Sequence, residues 1–390
     1  MKSSKLKTVL LKIFSFLMLV LSIISCRDPF EPEIIRQDLA ILVVEGYVEV
    51  DGESFISLSR TSPVRDTASV VFESGARVFL IPESGTSFWD FEESEDQAGF
   101  YTLEGSFDPN QKYFLNVWLS NGEMYQSELL TPIITPDIEE LGWLRDEVGV
   151  EIFVSTNGNE DARYFLWTYN EDWIFNAGIS SFLIFENGGV RERREEERVD
   201  RCWSSTFMPR IVLQNSARFD GNRILERELV RIPNLSEKLQ RRYSIEVVQR
   251  AIDQDAFDFW EILRKNSDDI GGIFSPLPSL ISGNINNVDE KKDENVIGFI
   301  SMGRSSRKRI YIDQADVAPW RVEIPEYEFC NLSMDTIPPE LASSRFRTGV
   351  EIPARILFDG PFFLGYRGAS RECVDCTLRG SNVKPEFWED

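Results

Sequence analysis

The chain has 390 residues, a formal charge of −23 and no histidine. That absence excludes Ser-His-Asp and Cys-His nucleophilic sites, HExxH zinc sites and histidine general bases. Acids outnumber bases by 65 to 42, which speaks against nucleic-acid binding, while 42% apolar and 12% aromatic residues describe a folded chain with a sizeable core.

The first residues decide the compartment. Lys2, Lys5, Lys7 and Lys12 carry no accompanying acid, and Ile13 to Ile24 is an unbroken uncharged run. A basic start followed by so short an apolar stretch predicts a signal peptide over 1–25, too short to span a bilayer. The run ends Ile23-Ile24-Ser25-Cys26. This resembles the bacterial lipobox, so Cys26 is expected to carry the lipid and become the new amino terminus. Arg27-Asp28-Pro29-Phe30-Glu31-Pro32-Glu33 follows, and residues 26–38 read as an acidic, proline-broken tether. Acidic residues at this place also resemble the export signal that sends lipoproteins of Bacteroidota to the cell surface. The expected location is therefore the outer membrane, lipid-anchored and surface-exposed.

From Ala40 the chain reads as strands. Residues 40–50 are β-branched and apolar, Asp51-Gly52 signals a tight turn, and 54–59, 76–81, 99–103, 111–119 and 123–130 follow with turn residues between them. The spacing predicts an antiparallel β-sandwich over 39–135. Gly75-Ala-Arg-Val-Phe-Leu80, Gly99-Phe-Tyr-Thr-Leu103 and Tyr113-Phe-Leu-Asn-Val117 resemble a pre-albumin or carboxypeptidase-regulatory module. Pro132 to Pro136 reads as an extended linker. A larger β-rich domain is expected over 136–390, beginning with strands at 138–144, 148–155 and 162–173 that resemble the opening of a fibronectin-type sandwich. One short helix is predicted near 253–265, capped by Asp253, with Ala256, Phe259, Trp260 and Leu263 on one face. Strands resume at 296–301, 309–313 and 350–358. The fold class is thus mainly β.

Arg191 to Arg198 mixes both signs and reads as a solvated loop or hairpin flank. Arg304, Arg307, Lys308 and Arg309 form a compact basic stretch in an acidic chain, a candidate surface for an anion or an acidic partner, although exposed hairpin charges explain it more simply. With Cys26 assigned to lipid, Cys202, Cys330, Cys373 and Cys376 remain, an even number in an exported chain. They are disulfide candidates with three possible pairings, expected to fasten the carboxy-terminal segment. Cys373-Val-Asp-Cys376 lacks the second knuckle of a zinc site and the helix of a redox site, so no metal and no cofactor are predicted.

No phosphate loop and no Gly-x-Ser-x-Gly elbow occurs. A glycosidase with two carboxylates needs no histidine and stands as an alternative, but spacing nominates no pair among 65 acids.

Several stretches taken together resemble the Bacteroidota outer-membrane lipoproteins grouped as domain of unknown function 4249. They are Cys26-Arg-Asp-Pro-Phe30, Leu42-Val-Val-Glu-Gly46, Ile56-Ser-Leu-Ser-Arg-Thr61, Gly75-Ala-Arg-Val78, Arg242-Tyr-Ser-Ile245 with Gln249, Phe259-Trp260, Gly272-Ile-Phe274, and Pro278 through Gly283-Asn284-Ile285. Cys373-Val-Asp-Cys376, Gly380 and Pro385-Glu-Phe-Trp388 complete the set. The resemblance implies a non-enzymatic accessory of a TonB-dependent outer-membrane receptor, active in ligand capture. It attaches no catalytic residues. A structural scaffold in outer-membrane protein assembly is the other non-enzymatic alternative.

Overall fold

The computed structural model describes residues 40–61, 70–268, 283–289 and 295–389. The predicted signal peptide, Cys26 and the tether lie outside these residues, as do Gly272 to Phe274 and Pro278. A compact unit begins at Ile41. It is mainly β and contains two sandwiches.

In the first sandwich one sheet is built around Leu42–Glu49 and Asp51–Arg60, with Phe100–Ser106 beyond them. The facing sheet holds Arg77–Pro82, Tyr113–Trp118 and Met124–Ser127. Period-two alternation sends Leu42, Val44, Val48, Ile56 and Leu58 inward against Val78, Leu80, Leu115 and Val117.

The sandwich does not end at residue 135. Ser301–Arg304 lies parallel between Leu42–Glu49 and Ile133–Ile134, and Ile285–Asn287 pairs with Met124–Ser127. Ile285, Val296, Ile300 and Met302 join its core. The expected boundary is corrected accordingly: residues 283–304 return to complete the first module. The predicted strand at 296–301 is displaced to Ser301–Arg304, with Ile297 only bridging to Val43. Two features seat the return. A Cβ at Gly298 would lie 1.8 Å from the Val44 carbonyl oxygen, and the Asn284 side-chain amide exchanges two hydrogen bonds with the Ile300 backbone.

The second sandwich packs a sheet of Ile138–Arg145, Gly149–Asn157 and Arg223–Pro233 on one of Arg201–Asn215, Tyr164–Asn176, Arg242–Ile252 and Ser306–Asp313. This three-on-four arrangement is fibronectin-like. Phe165, Trp167, Tyr169, Ile245 and Val247 meet Val150, Ile152, Leu229 and Ile232 in its interior. Gln249, fully buried, accepts from Trp167 Nε1 at 2.8 Å and donates to the Pro136 carbonyl and Thr156 Oγ1. We expect Gln249→Leu to cost about 2–3 kcal/mol in urea unfolding, because it leaves a buried indole donor and the Pro136 carbonyl unpaired.

Two crossings join the sandwiches. Ile133–Ile134 runs into Ile138–Arg145, so the predicted linker is an ordered edge strand. Ser301–Arg304 passes through Ser305 into Ser306–Asp313. Buried Glu49 accepts from the Ser305 amide and hydroxyl at 3.0 and 2.5 Å, which fixes the second crossing.

The helix Gln254–Asp268 starts where predicted, with Asp253 accepting from the Ala256 amide at 2.7 Å. Its apolar face carries Ala256, Phe257 and Phe259 against Leu166, Leu213, Ile252 and Phe299. Beyond the sandwiches lie two hairpins, Leu183–Glu186 with Gly189–Glu192 and Glu351–Asp359 with Phe362–Ser370. The mixed-charge run flanks the first of these, where Arg191 bridges Glu186 and Glu197 and Arg198 holds Asp200. Arg191, then the Arg194 amide, hold the Glu197 carboxyl far below the usual carboxylate range.

Candidate functional site

The four predicted cysteines form two disulfides, Cys202–Cys376 and Cys330–Cys373. The two cysteines of the CxxC therefore belong to different bridges. Cys202 sits on Arg201–Asn215, and the bridge draws the carboxy-terminal segment across that strand. Gly380 passes so close that a Cβ would lie 2.3 Å from the Trp203 carbonyl oxygen. Further on, Trp388 packs edge-on against Trp203 and Tyr311.

The four residues of the basic stretch are divided between two strands. Along Ser306–Asp313 alternate side chains face opposite ways. Arg309 is spoken for: Asp172 lies at 3.2 Å, Glu246 at 3.4 Å, and the Phe387 ring centroid at 3.8 Å. Arg307 lies 3.6 Å from Glu49. Lys308, on the other face, donates to the Glu139 carbonyl at 3.2 Å. Arg304 is exposed at the end of its strand. Lys308 and Arg309 are thus engaged internally, while Arg304 and Arg307 stay exposed.

A different pair of arginines lines a cavity of about 240 Å³ between the sandwiches. Its floor is the outward face of the four-stranded sheet: Leu166 and Thr168, Phe207, Arg210 and Ile211, then Arg250 and Ile252. Its roof is the outward face of the first sandwich, with Glu45, Tyr47 and Phe55, while Trp260 and Phe299 close one side. The polarity follows from alternation. Tyr243, Ile245, Val247 and Ala251 fill the second core, so Arg250 must point the other way, into the joint.

Arg250 is only 8% exposed. Its guanidinium lies 4.8 Å from the Tyr47 ring centroid and 5.9 Å from that of Phe55. One side-chain hydrogen bond is made, from Nη1 to Thr168 Oγ1 at 3.2 Å, while Nε is buried without an acceptor. No described carboxylate lies within ion-pair distance of it. Burial lowers its pKa, with Tyr47 and Glu49 opposing the shift and Arg307 adding to it. Burial likewise, helped by Glu49, pushes the Tyr47 phenol well above its ordinary range, so it stays protonated. At the rim Arg210 is exposed, and beyond it stand Arg227 and Arg264; after burial, Arg264 and Arg210 are the charges that lower Arg227. A cationic cluster in so acidic a chain marks this rim as a place for anions.

The sequence does not bring these residues together because they come from seven separated stretches. The readable signal was Arg250 itself, set between Val248 and Ile252 on one face of an apolar strand. Among the described residues no group of three or more Cys, Asp or Glu could hold a metal, and no helix is long and apolar enough to cross a membrane.

Fold and cavity together define a tandem β-sandwich protein with a cationic, aromatic-walled pocket at the joint. The chain belongs to the family described as domain of unknown function (DUF4249), whose model matches residues 27–309. The carboxy-terminal pieces of the resemblance lie beyond that span. A comparison with curated proteins finds no relative. Among solved structures, a two fibronectin type-III domain segment from chicken tenascin is 10% identical, covering 54% of this chain and 90% of its own at a TM-score of 0.14. A cycloalternan-degrading enzyme from Trueperella pyogenes, in complex with cycloalternan, is 10% identical at a TM-score of 0.16, covering 72% of this chain and 37% of its own. Scores this low carry no weight beside the topology.

Proposed function

We propose that this chain is a non-enzymatic, lipid-anchored protein of the Bacteroidota outer membrane that docks on a TonB-dependent transporter and helps it capture ligand. The observation that carries the reading is an exposed apolar surface on the carboxy-terminal hairpin. Phe362 is 71% exposed and Phe358 62%, with Phe363 and Leu364 beside them and Val350 just before the first strand. Large apolar side chains gathered on one hairpin mark a surface that a partner covers. The lipobox at Cys26, the acidic tether and the family resemblance supply the membrane and the kind of partner.

A carboxylate-based glycosidase is disfavoured by how the most buried acids are used. Glu171 holds Lys238 and Tyr243, Asp172 holds Ser205 and Arg309, and Glu49 holds Ser305. Each serves the fold rather than a cleft. The test is affinity purification of the tagged lipoprotein from gently solubilised outer membranes, followed by mass spectrometry. A TonB-dependent barrel should co-elute, and its recovery should fall at least about tenfold for the triple variant Phe358→Ser, Phe362→Ser, Phe363→Ser. Recovery of the protein alone would overturn the docking role. Recovery of an assembly-machinery barrel would replace it with the scaffold.

A further inference from the structure

Arg250 presents an imbalance that the fold alone does not resolve. A guanidinium has five N–H donors, and the one here is buried among aromatic and aliphatic side chains with a single side-chain acceptor, Thr168. Several other arginines removed from solvent find carboxylates: Arg309 has Asp172 and Glu246, Arg60 has Glu73, and Arg379 has Glu237, whereas Arg227 and Arg367, both less buried than Arg250, share its lack of a described carboxylate. Leaving such a cation without an anion in a desolvated place is costly, and the two rings of Tyr47 and Phe55 offset only part of it. The cavity supplies the room in which a counter-ion can stand.

We propose that the cavity between the sandwiches binds a small amphipathic carboxylate, its anionic end on Arg250 and Arg210 and its apolar body among Tyr47, Phe55, Phe207 and Trp260. The inference names the ligand class within the capture reading and rests on it. Size follows from the volume: a cavity of about 150 Å³ takes benzene with its six heavy atoms, so 240 Å³ takes roughly ten. Charge follows from the walls. A planar, singly charged carboxylate matches the fork of one guanidinium, whereas Glu45 at the rim and Glu49 near Arg250 disfavour a group of higher charge. Aromatic walls favour an aryl body over an alkyl one.

The test is titration calorimetry on the full chain in phosphatidylcholine nanodiscs, with phenylacetate, octanoate and their neutral amides as probes and empty nanodiscs as blank. Phenylacetate should bind, and its amide should bind about tenfold to a hundredfold more weakly, since a hydrogen-bonded charge is lost. Arg250→Met should remove the preference of acid over amide. Because Arg250 is packed, a second variant guards against misfolding: Phe207→Ala, at a residue 64% exposed, should weaken phenylacetate about threefold to tenfold. Tighter binding of octanoate would keep the carboxylate site and exchange the aryl body for an alkyl chain. Equal binding of acid and amide, or no binding of either acid up to about 10 mM, would overturn the proposal. A barrel that still co-elutes with a protein binding neither acid would leave the docking reading standing and remove only the ligand class.

Discussion

Replacing Cys202 and Cys376 together by alanine should destabilise the folded chain by about 5 kcal/mol, the largest loss expected from any pair of small substitutions here. The bridge spans 174 residues, and the cost of closing so long a loop is returned to the unfolded ensemble when the link is cut. Both cysteines are fully buried and belong to the core of the second sandwich, so the alanines also leave small voids. The other bridge, Cys330–Cys373, spans 43 residues. Its removal should cost about 1 kcal/mol less on the same logarithmic dependence. Urea unfolding of the two double variants checks the order, and equal losses would show that loop length does not govern the effect. Limited proteolysis gives a second readout. The Cys202, Cys376 double variant should expose the segment around Trp388 to cleavage sooner, because only non-covalent fastenings then hold it: the Trp203–Ser381 bridge, the Arg379–Glu237 ion pair, the Asn382 hydrogen bonds and the aromatic contacts.

The second large effect concerns Lys238→Met, expected to cost about 3–5 kcal/mol. Glu171 is completely buried in the middle of Tyr164–Asn176. Its two oxygens accept from Lys238 Nζ and the Tyr243 hydroxyl, each at 2.7 Å. Burial first, then the neighbouring Glu171 charge, raises the Tyr243 pKa, so the phenol remains a donor through the whole working pH range. Methionine removes the ammonium that stands 5.1 Å from the Trp173 ring centroid and strands a carboxylate in the interior. The double variant Glu171→Gln, Lys238→Met should then be more stable than Lys238→Met alone, since the stranded charge is gone while the amide oxygen still accepts from Tyr243. A double variant less stable than the single one, measured by urea unfolding, would mean that the pair is not coupled in this way.

Local pattern carried much of the fold. Residues 40–50 and 162–173 declared themselves by branched and aromatic content, and Asp253 marked the helix start. Three strands of the second sandwich were not readable: Arg201–Asn215, Arg223–Pro233 and Arg242–Ile252. The first two carry charges and serines that blur alternation. The third is buried on both faces, which removes alternation altogether. The return of residues 283–304 was hidden for another reason: a short strand inserted from far along the chain leaves no local trace of its partner. The basic stretch is dispersed because Arg307, Lys308 and Arg309 alternate between two faces of one strand while Arg304 ends another. The cavity is the extreme case, since only the pairing of distant strands brings Tyr47, Arg210 and Arg250 together. The motifs behind the family resemblance fared differently. Gln249, Asn284, Gly380 and Trp388 each occupy a position where packing or hydrogen bonding demands that side chain, so their chemistry is that of the fold.

The placement of Ser301–Arg304 also sets a timetable for biogenesis. Synthesis from the amino terminus delivers Leu42–Glu49 and Ile133–Ile134 early, yet the strand that lies between them arrives only after most of the polypeptide has been made. Until then the nascent first module has an open edge on Leu42–Glu49, a ready template for pairing with the wrong neighbour. The two sandwiches must therefore mature together, and a truncation anywhere before residue 304 would spoil the first as surely as the second.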